Sequence, residues 1–301
     1  MTNRIATFPA TERIIVDNMR LQSQLAETQI QLSTGLKSTS YTGIASDSQR
    51  LLNVERNYDS LEGFNTNATI IGGNIDIAYN AVKSILDLSN NFLQTLTSAQ
   101  GGNFLDPQVT RDQGQLLIKE VAGLLNTQSA GRYLFAGSNI DTIPVNLDDP
   151  AFTPQTSPST ANTGYYQGND DKLSAQLSET LSISYNFTAN DPAFEQLLRS
   201  FNLAINNPSD TAALAESTTL MRSAISGMSN IFAQMSTFAR TVENQTMRNE
   251  EDLAIMKNVI GNLKGADLAA TTVRQKELET QIQASYASSV TILNLKLTDY
   301  I

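Results

Sequence analysis

The chain has 301 residues, a formal net charge of −10, and no Cys, His or Trp. Without Cys there is neither disulfide nor thiolate chemistry, and without His the commonest general base and metal ligand are missing, which turns the reading away from an enzyme. The acidic balance argues against nucleic acid and anionic membrane surfaces, both of which need clustered Lys and Arg, and no apolar run reaches the about eighteen residues of a bilayer span.

Residues 1–10 carry one Arg and no apolar core. They are therefore not expected to form a cleavable signal peptide. Pro9 reads as punctuation and Thr11 as the N-cap of a helix starting at Glu12. That helix has a thin stripe of Ile14, Asn18, Leu21, Leu25, Thr28 and Leu32, diluted with Gln, Ser and Thr. Gly35 ends it, residues 37–43 read as a loop, and a helix resumes near Ala45.

The dominant element is the stretch 61–99. Steps of three and four pick out Leu61, Phe64, Ala68, Ile71, Ile75, Ala78, Val82, Ile85, Ser89, Phe92, Leu96 and Ala99. This is a heptad seam on a helix of roughly 57 Å. Gly63, Gly72 and Gly73 lie off it and weaken continuity. A partner follows at 214–263, stepping through Leu214, Thr218, Met221, Ile225, Met228, Phe232, Met235, Ala239, Val242, Thr246, Asn249, Leu253, Met256, Ile260 and Leu263. The two are expected to pack antiparallel. Ile71, Ile75, Val82, Ile85, Met221, Ile225, Met228 and Phe232 form the centre of the intrachain seam, with the methionines as adaptable packing.

Between these stretches, Gln100–Asn103 is a break and Asp106-Pro107 precedes a shorter helix stepping through Leu117, Val121, Leu124 and Gln128, closed by Gly131 as its C′ residue. The character then changes. Tyr133-Leu134-Phe135 is a short β-prone run, and prolines at 144, 150, 154 and 158 forbid any long element. Leu181, Ile183, Tyr185 and Phe187 alternate with polar residues as in a half-buried strand. Tyr165-Tyr166 and 173–177 are companion candidates. Asp191-Pro192 opens a helix with Phe194, Leu197, Leu198, Phe201 and Ile205 on one face, ended by Asn206-Asn207-Pro208. Gly261 and Gly265 mark a corner, and Asp267 caps a last helix with the stripe Leu278, Ile282, Tyr286, Val290, Leu293 and Leu297.

Chemistry-bearing patterns are weak. Asp148-Asp149 and Asp170-Asp171 lack a third ligand at metal spacing and read as loop charge. Glu250-Glu251-Asp252 reads as a solvated helix face. Residues 261–265 lack P-loop spacing. Three Asn-x-Thr triplets, at Asn67, Asn186 and Asn244, match the glycosylation acceptor, but such triplets arise often by chance in an Asn- and Thr-rich chain. No cofactor is expected.

The two ends resemble the flagellin family of axial flagellar proteins. Residues 25–37, LAETQIQLSTGLK, resemble that family's helix followed by its LSTG segment. The C-terminal segment opens Ala266-Asp267-Leu268-Ala269 and ends Leu297-Thr298-Asp299-Tyr300-Ile301, and residues 131–137, GRYLFAG, resemble the entry to an outer domain. Within the family these features are closer to the hook–filament junction proteins than to filament flagellin. The resemblance spans about the first 137 and last 90 residues. At 41–47 the chain has a single Asp where the family commonly has an Asp-rich turn.

The resemblance implies a structural role outside the cell in the bacterial flagellum. It implies type III export, an export chaperone on the C-terminal segment, and self-association in a ring or helical assembly. Partners would be hook subunits, the other hook-associated protein and flagellin. The competing readings are filament flagellin and, from another class, a cytoplasmic helical signalling hairpin.

The expected fold is mainly α: an elongated antiparallel bundle with paired terminal helices and a small β-containing domain at the hairpin tip. The segments are 1–45 and 264–301 for assembly, 46–131 and 191–263 as helical rods, and 132–190 as the outer domain. Ile14, Leu21, Leu25, Leu32, Leu278, Ile282, Leu293 and Leu297 are expected to carry the polymer contacts. Because helices this polar are marginal alone, the ends are expected to order only in an assembly.

Overall fold

The computed structural model describes residues 3–44, 46–101, 106–171, 173–185 and 187–294. Among them are six α-helices and four short strands. The helices are α1 (Asn3–Thr34), α2 (Ser48–Gln100), α3 (Pro107–Leu125), α4 (Pro192–Asn206), α5 (Thr211–Lys264) and α6 (Leu268–Asn294). The strands are β1 (Gln128–Ser129), β2 (Arg132–Tyr133), β3 (Leu173–Gln176) and β4 (Ser182–Tyr185). None of these helices is long and apolar enough to cross a membrane. The chain divides into two compact units, Met1–Asp59 with Leu253–Ile301, and Ser60–Asp252.

In the first unit α1 packs along α6. The helix α1 begins at Asn3 and runs through Pro9, so Thr11 is not its cap. A proline removes one backbone hydrogen bond and need not end a helix. Gly35 does end it, at φ +71°, with its N–H on the Gln31 carbonyl at 2.8 Å. A residue with a Cβ resists that left-handed conformation. At the start of α6 the Asp267 carboxylate accepts from the N–H groups of Ala269 and Ala270 at 3.0 and 3.1 Å, satisfying donors the helix cannot. The α5 helix continues past Gly261, so only Gly265 belongs to the corner.

The second unit is built on α2 and α5, which are antiparallel there. Gln100 donates to the Leu214 carbonyl at 2.6 Å, Tyr79 stacks on Phe232 with ring centroids 4.1 Å apart, and Gly72 faces Val242. The glycines at 63, 72 and 73 do not interrupt α2. The polar residues on the seams find local partners. Ser89 donates to the Ile85 carbonyl at 2.6 Å. Thr218 donates to that of Leu214 at 2.9 Å, and Asn249 to that of Leu177 at 3.0 Å.

Residues 132–190 feed the same core as the helices. Phe135, Tyr165, Leu177 and Phe187 cluster with Ile75, Val82, Met221 and Met228. Phe135 meets Phe194 edge-on at 6.1 Å, and Phe187 meets Phe238 at 5.9 Å. The strands pair in two antiparallel hairpins, β1 with β2 and β3 with β4, the latter in the register Leu173↔Tyr185 and Ala175↔Ile183. Gly131 closes the first hairpin rather than α3, which ends at Leu125 with Asn126 as its cap. Ala130 and Gly131 have φ +49° and +79°, the two positive values a type I′ turn demands. Tyr165-Tyr166 contributes one bridge, Val145↔Tyr166, and no strand.

Both shorter helices start as an Asp-Pro pair dictates. The Asp106 carboxylate accepts from the Gln108 N–H, and that of Asp191 from the Ala193 N–H, each at 2.9 Å. Then α3 packs on α4, where Gly114 is required because a Cβ there would lie 2.9 Å from Ile205.

Candidate functional site: the paired terminal helices

The chain ends carry the family resemblance, so the site is built from α1, α6 and the corner joining them. The inward face of α1 is Ile14, Asn18, Leu21, Leu25, Thr28 and Leu32, all half-buried except the buried Thr28. Its hydroxyl is satisfied by donating to the Leu25 carbonyl at 2.8 Å. The Asn18 amide oxygen is buried without a hydrogen-bond partner, a desolvation cost of about 1–3 kcal/mol set against the modest apolar gain of this pair.

On α6 the inward residues are Thr271, Gln275, Leu278, Ile282, Ser285 and Ser289. Tyr286 and Val290, expected on the stripe, are exposed. The reason is geometric: each step of four on a 3.6-residue helix overshoots by about 40°. Three such steps in a row leave the buried face, and the true path alternates four and three. Tyr286 still accepts a hydrogen bond from Gln22 across the pair.

Six residues expected to form polymer contacts thus lie on the inward faces: Ile14, Leu21, Leu25, Leu32, Leu278 and Ile282. The Leu293 side chain and Leu297 fall outside the described residues. Sequence reasoning missed the opposite faces. Ile15, Val16, Met19 and Ile30 on α1 are 50–65% exposed, and Val273 and Val290 on α6 are 59% and 57% exposed. The run Ile14-Ile15-Val16 carried the signal, because consecutive residues on a helix cannot share one face.

The corner is knit by backbone and charge. Leu36 and Gly265 form an antiparallel bridge. Around it the Lys37 N–H donates to the Lys264 carbonyl at 2.7 Å and the Ala266 N–H to the Gly35 carbonyl at 2.8 Å. The Lys37 ammonium donates to the carbonyls of Asn262 and Leu263 at 3.2 and 3.0 Å, capping the negative end of α5. Beside it, Lys264 pairs with Glu55, which also accepts from the Tyr41 hydroxyl at 2.9 Å. The bond from Lys264 holds the Glu55 carboxyl below its ordinary value, and the same bond raises Lys264. Glu55 raises Tyr41 in turn, since its carboxylate favours the protonated phenol.

The acidic pairs of the loop region have structural partners. Asp149 accepts from the Ala151 N–H at 2.8 Å and from Gln167 at 2.9 Å. Asp171 accepts from Ser138 and Asn169, each at 2.9 Å, and Asp170 accepts from Asn190. Among the described residues no three acidic side chains gather as a metal site would require. On α5, Glu250, Glu251 and Asp252 are exposed.

No protein-family model and no curated protein matches the chain. Solved structures do. A putative flagellar hook-associated protein from Vibrio parahaemolyticus superposes with a TM-score of 0.56 at 16% identity, over 72% of this chain and 97% of that one. FlgL of Bacillus cereus superposes with a TM-score of 0.54 at 17% identity, over 70% of this chain and 99% of that one. The chain has the fold of these proteins, a helical bundle with a small β part, which is the fold the resemblance of its ends implied.

Proposed function

We propose that the chain is a structural subunit of the bacterial flagellum, of the hook-associated protein 3 kind, that joins hook to filament by self-association and has no catalytic role. The observation that carries this reading is the second, outward apolar patch of the terminal helices, made by Ile15, Val16 and Met19 on α1. A helix pair that has buried one stripe and still exposes another needs further helices to cover it.

On this reading Leu21, Leu25, Leu32, Leu278 and Ile282 hold α1 to α6, and the outward residues meet neighbouring copies. Residues 1–45 and 264–301 are the assembly segments. The buried orphan oxygen of Asn18 fits a pair that is marginal alone. The shared fold supports partners in the axial structure: hook subunits, the other hook-associated protein and flagellin. Export through the flagellar type III channel, with a chaperone on the C-terminal segment, completes the proposal and makes the subunit extracellular.

The test is electron microscopy of flagella from a strain lacking the chain. Hooks without filaments, with flagellin released into the medium, support the junction role. Filaments of normal number and length would overturn it, and hooks capped by junction proteins with no flagellin made would point to filament flagellin.

A further inference from the structure

Within the second unit a cleft of about 370 Å³ opens between α2 and the strands, with Ile71, Ile75, Leu134 and Phe187 as its apolar walls and Asn74 and Arg132 at its edge. Arg132 is exposed and has no ion pair among the described residues. The cleft therefore fits an apolar side chain that arrives beside a carboxylate.

The same chain displays that combination. Leu116 on α3 is 67% exposed, more than any other large apolar residue described. Exposed Asp112 and Glu120 stand four residues to either side of it, on the same helix face. It cannot reach the cleft of its own molecule. Thr95 donates to Gln113 at 2.8 Å, which ties this part of α3 to the level of residue 95 on α2. Because α3 runs back along α2, Leu116 lies three residues beyond that point, near the level of residue 92, and the nearest cleft residue on α2, Ala78, is still fourteen residues and about 21 Å away along the axis.

We propose that Leu116 of one copy docks into the Arg132 cleft of the next, with Glu120 or Asp112 pairing with Arg132. The occupant is a second copy of this chain, chosen by charge complementarity, and the inference rests on the self-associating role proposed above. Because the two patches differ, the contact is heterologous. It propagates head to tail and either closes a ring or continues as a helix.

The chain has no Cys, so any thiol cross-link comes from introduced residues alone. Flagella are isolated from cells carrying full-length Lys119→Cys with Ser174→Cys, or either alone, and treated with a short bismaleimide. The contact gives a ladder of covalent multimers from the double variant and monomers from each single one. A ladder from Lys119→Cys alone would mean that α3 meets α3, and would overturn the proposal. Monomers from the double variant, on flagella with normal filaments, overturn the contact and leave the junction role standing. Flagella lacking even the parent chain overturn the junction role and the contact with it.

Arg132→Glu should reduce filament-bearing hooks several-fold, with recovery when Glu120→Arg or Asp112→Arg is added. Unchanged filament numbers in Arg132→Glu, or a loss that neither partner change repairs, count against the pairing. The exposure of Arg132 leaves the fold intact, which a matching thermal melt of the purified variant checks.

Discussion

Replacing Ile75 by Ala tests the α2–α5 seam at a fully buried position. Ile75 is 1% exposed within the main core. The change removes three carbons, worth about 0.8 kcal/mol each on transfer, or about 2.4 kcal/mol. The cavity left in a close-packed core brings the expected loss to about 3–4 kcal/mol. Ile225, half-buried on the facing helix, should lose about half as much on the same change. Ile77, two residues from Ile75 but 38% exposed, should lose under about 1 kcal/mol. Urea unfolding of the dilute monomer, followed by circular dichroism, gives the three values. In a unit of this size 3 kcal/mol corresponds to a melting point lower by about 6–12 °C. The order Ile75, Ile225, Ile77 is the content of the prediction. Equal losses at 75 and 77, or a parental midpoint for Ile75→Ala, would refute the assignment of the buried face.

Asn249→Leu should cost about 1–3 kcal/mol in the same assay, because the buried Leu177 carbonyl loses its donor; a neutral result would mean that this carbonyl finds another. Ala130→Asn should stabilise by about 0.5–1 kcal/mol, since Asn tolerates the positive φ of the hairpin turn better than Ala; a loss would count against the turn geometry. At the corner, Glu55 is held below 4.5 and Lys264 above 10.5. The Glu55 contribution is present above 4.5 and lost as pH falls through its lowered folded value. That of Lys264 is present below 10.5 and lost as pH rises through its raised one. Glu55→Gln should therefore cost about 0.5–1 kcal/mol at neutral pH, where the pair is partly exposed. The gap to the parent should close in acid, and a gap that widens there would contradict the pairing. Hydrogen exchange on dilute monomer should show the α1 and α6 amides opening more readily than those of α2 and α5; equal protection would remove the argument that the ends need neighbours.

The two long helices were legible because their information is local. Each seam residue lies three or four positions from the next, and every member, from Leu61 to Ala99 and from Leu214 to Leu263, faces inward or partly inward. The Asp-Pro starts of α3 and α4 were equally local. Gly131 was misread because a positive φ serves a helix end and a hairpin turn alike. Only the pairing of Ser129 with Arg132 separates them. The α6 stripe slipped because Ser285 and Ser289, its true inward members, carry no apolar signal. The corner joining Lys37 to Asn262 spans 225 residues of sequence, and no periodicity announces such a contact. The outward face of α1 was hidden because Ile15, Val16, Met19 and Ile30 do not recur at the regular spacing of the inward stripe.

Immunogold labelling of intact flagella with antibody against this chain reads its proposed place in the flagellum directly. A single cluster of gold is expected between the hook and the first part of the filament. Gold along the whole filament, or none on flagella that label normally for flagellin, would contradict it.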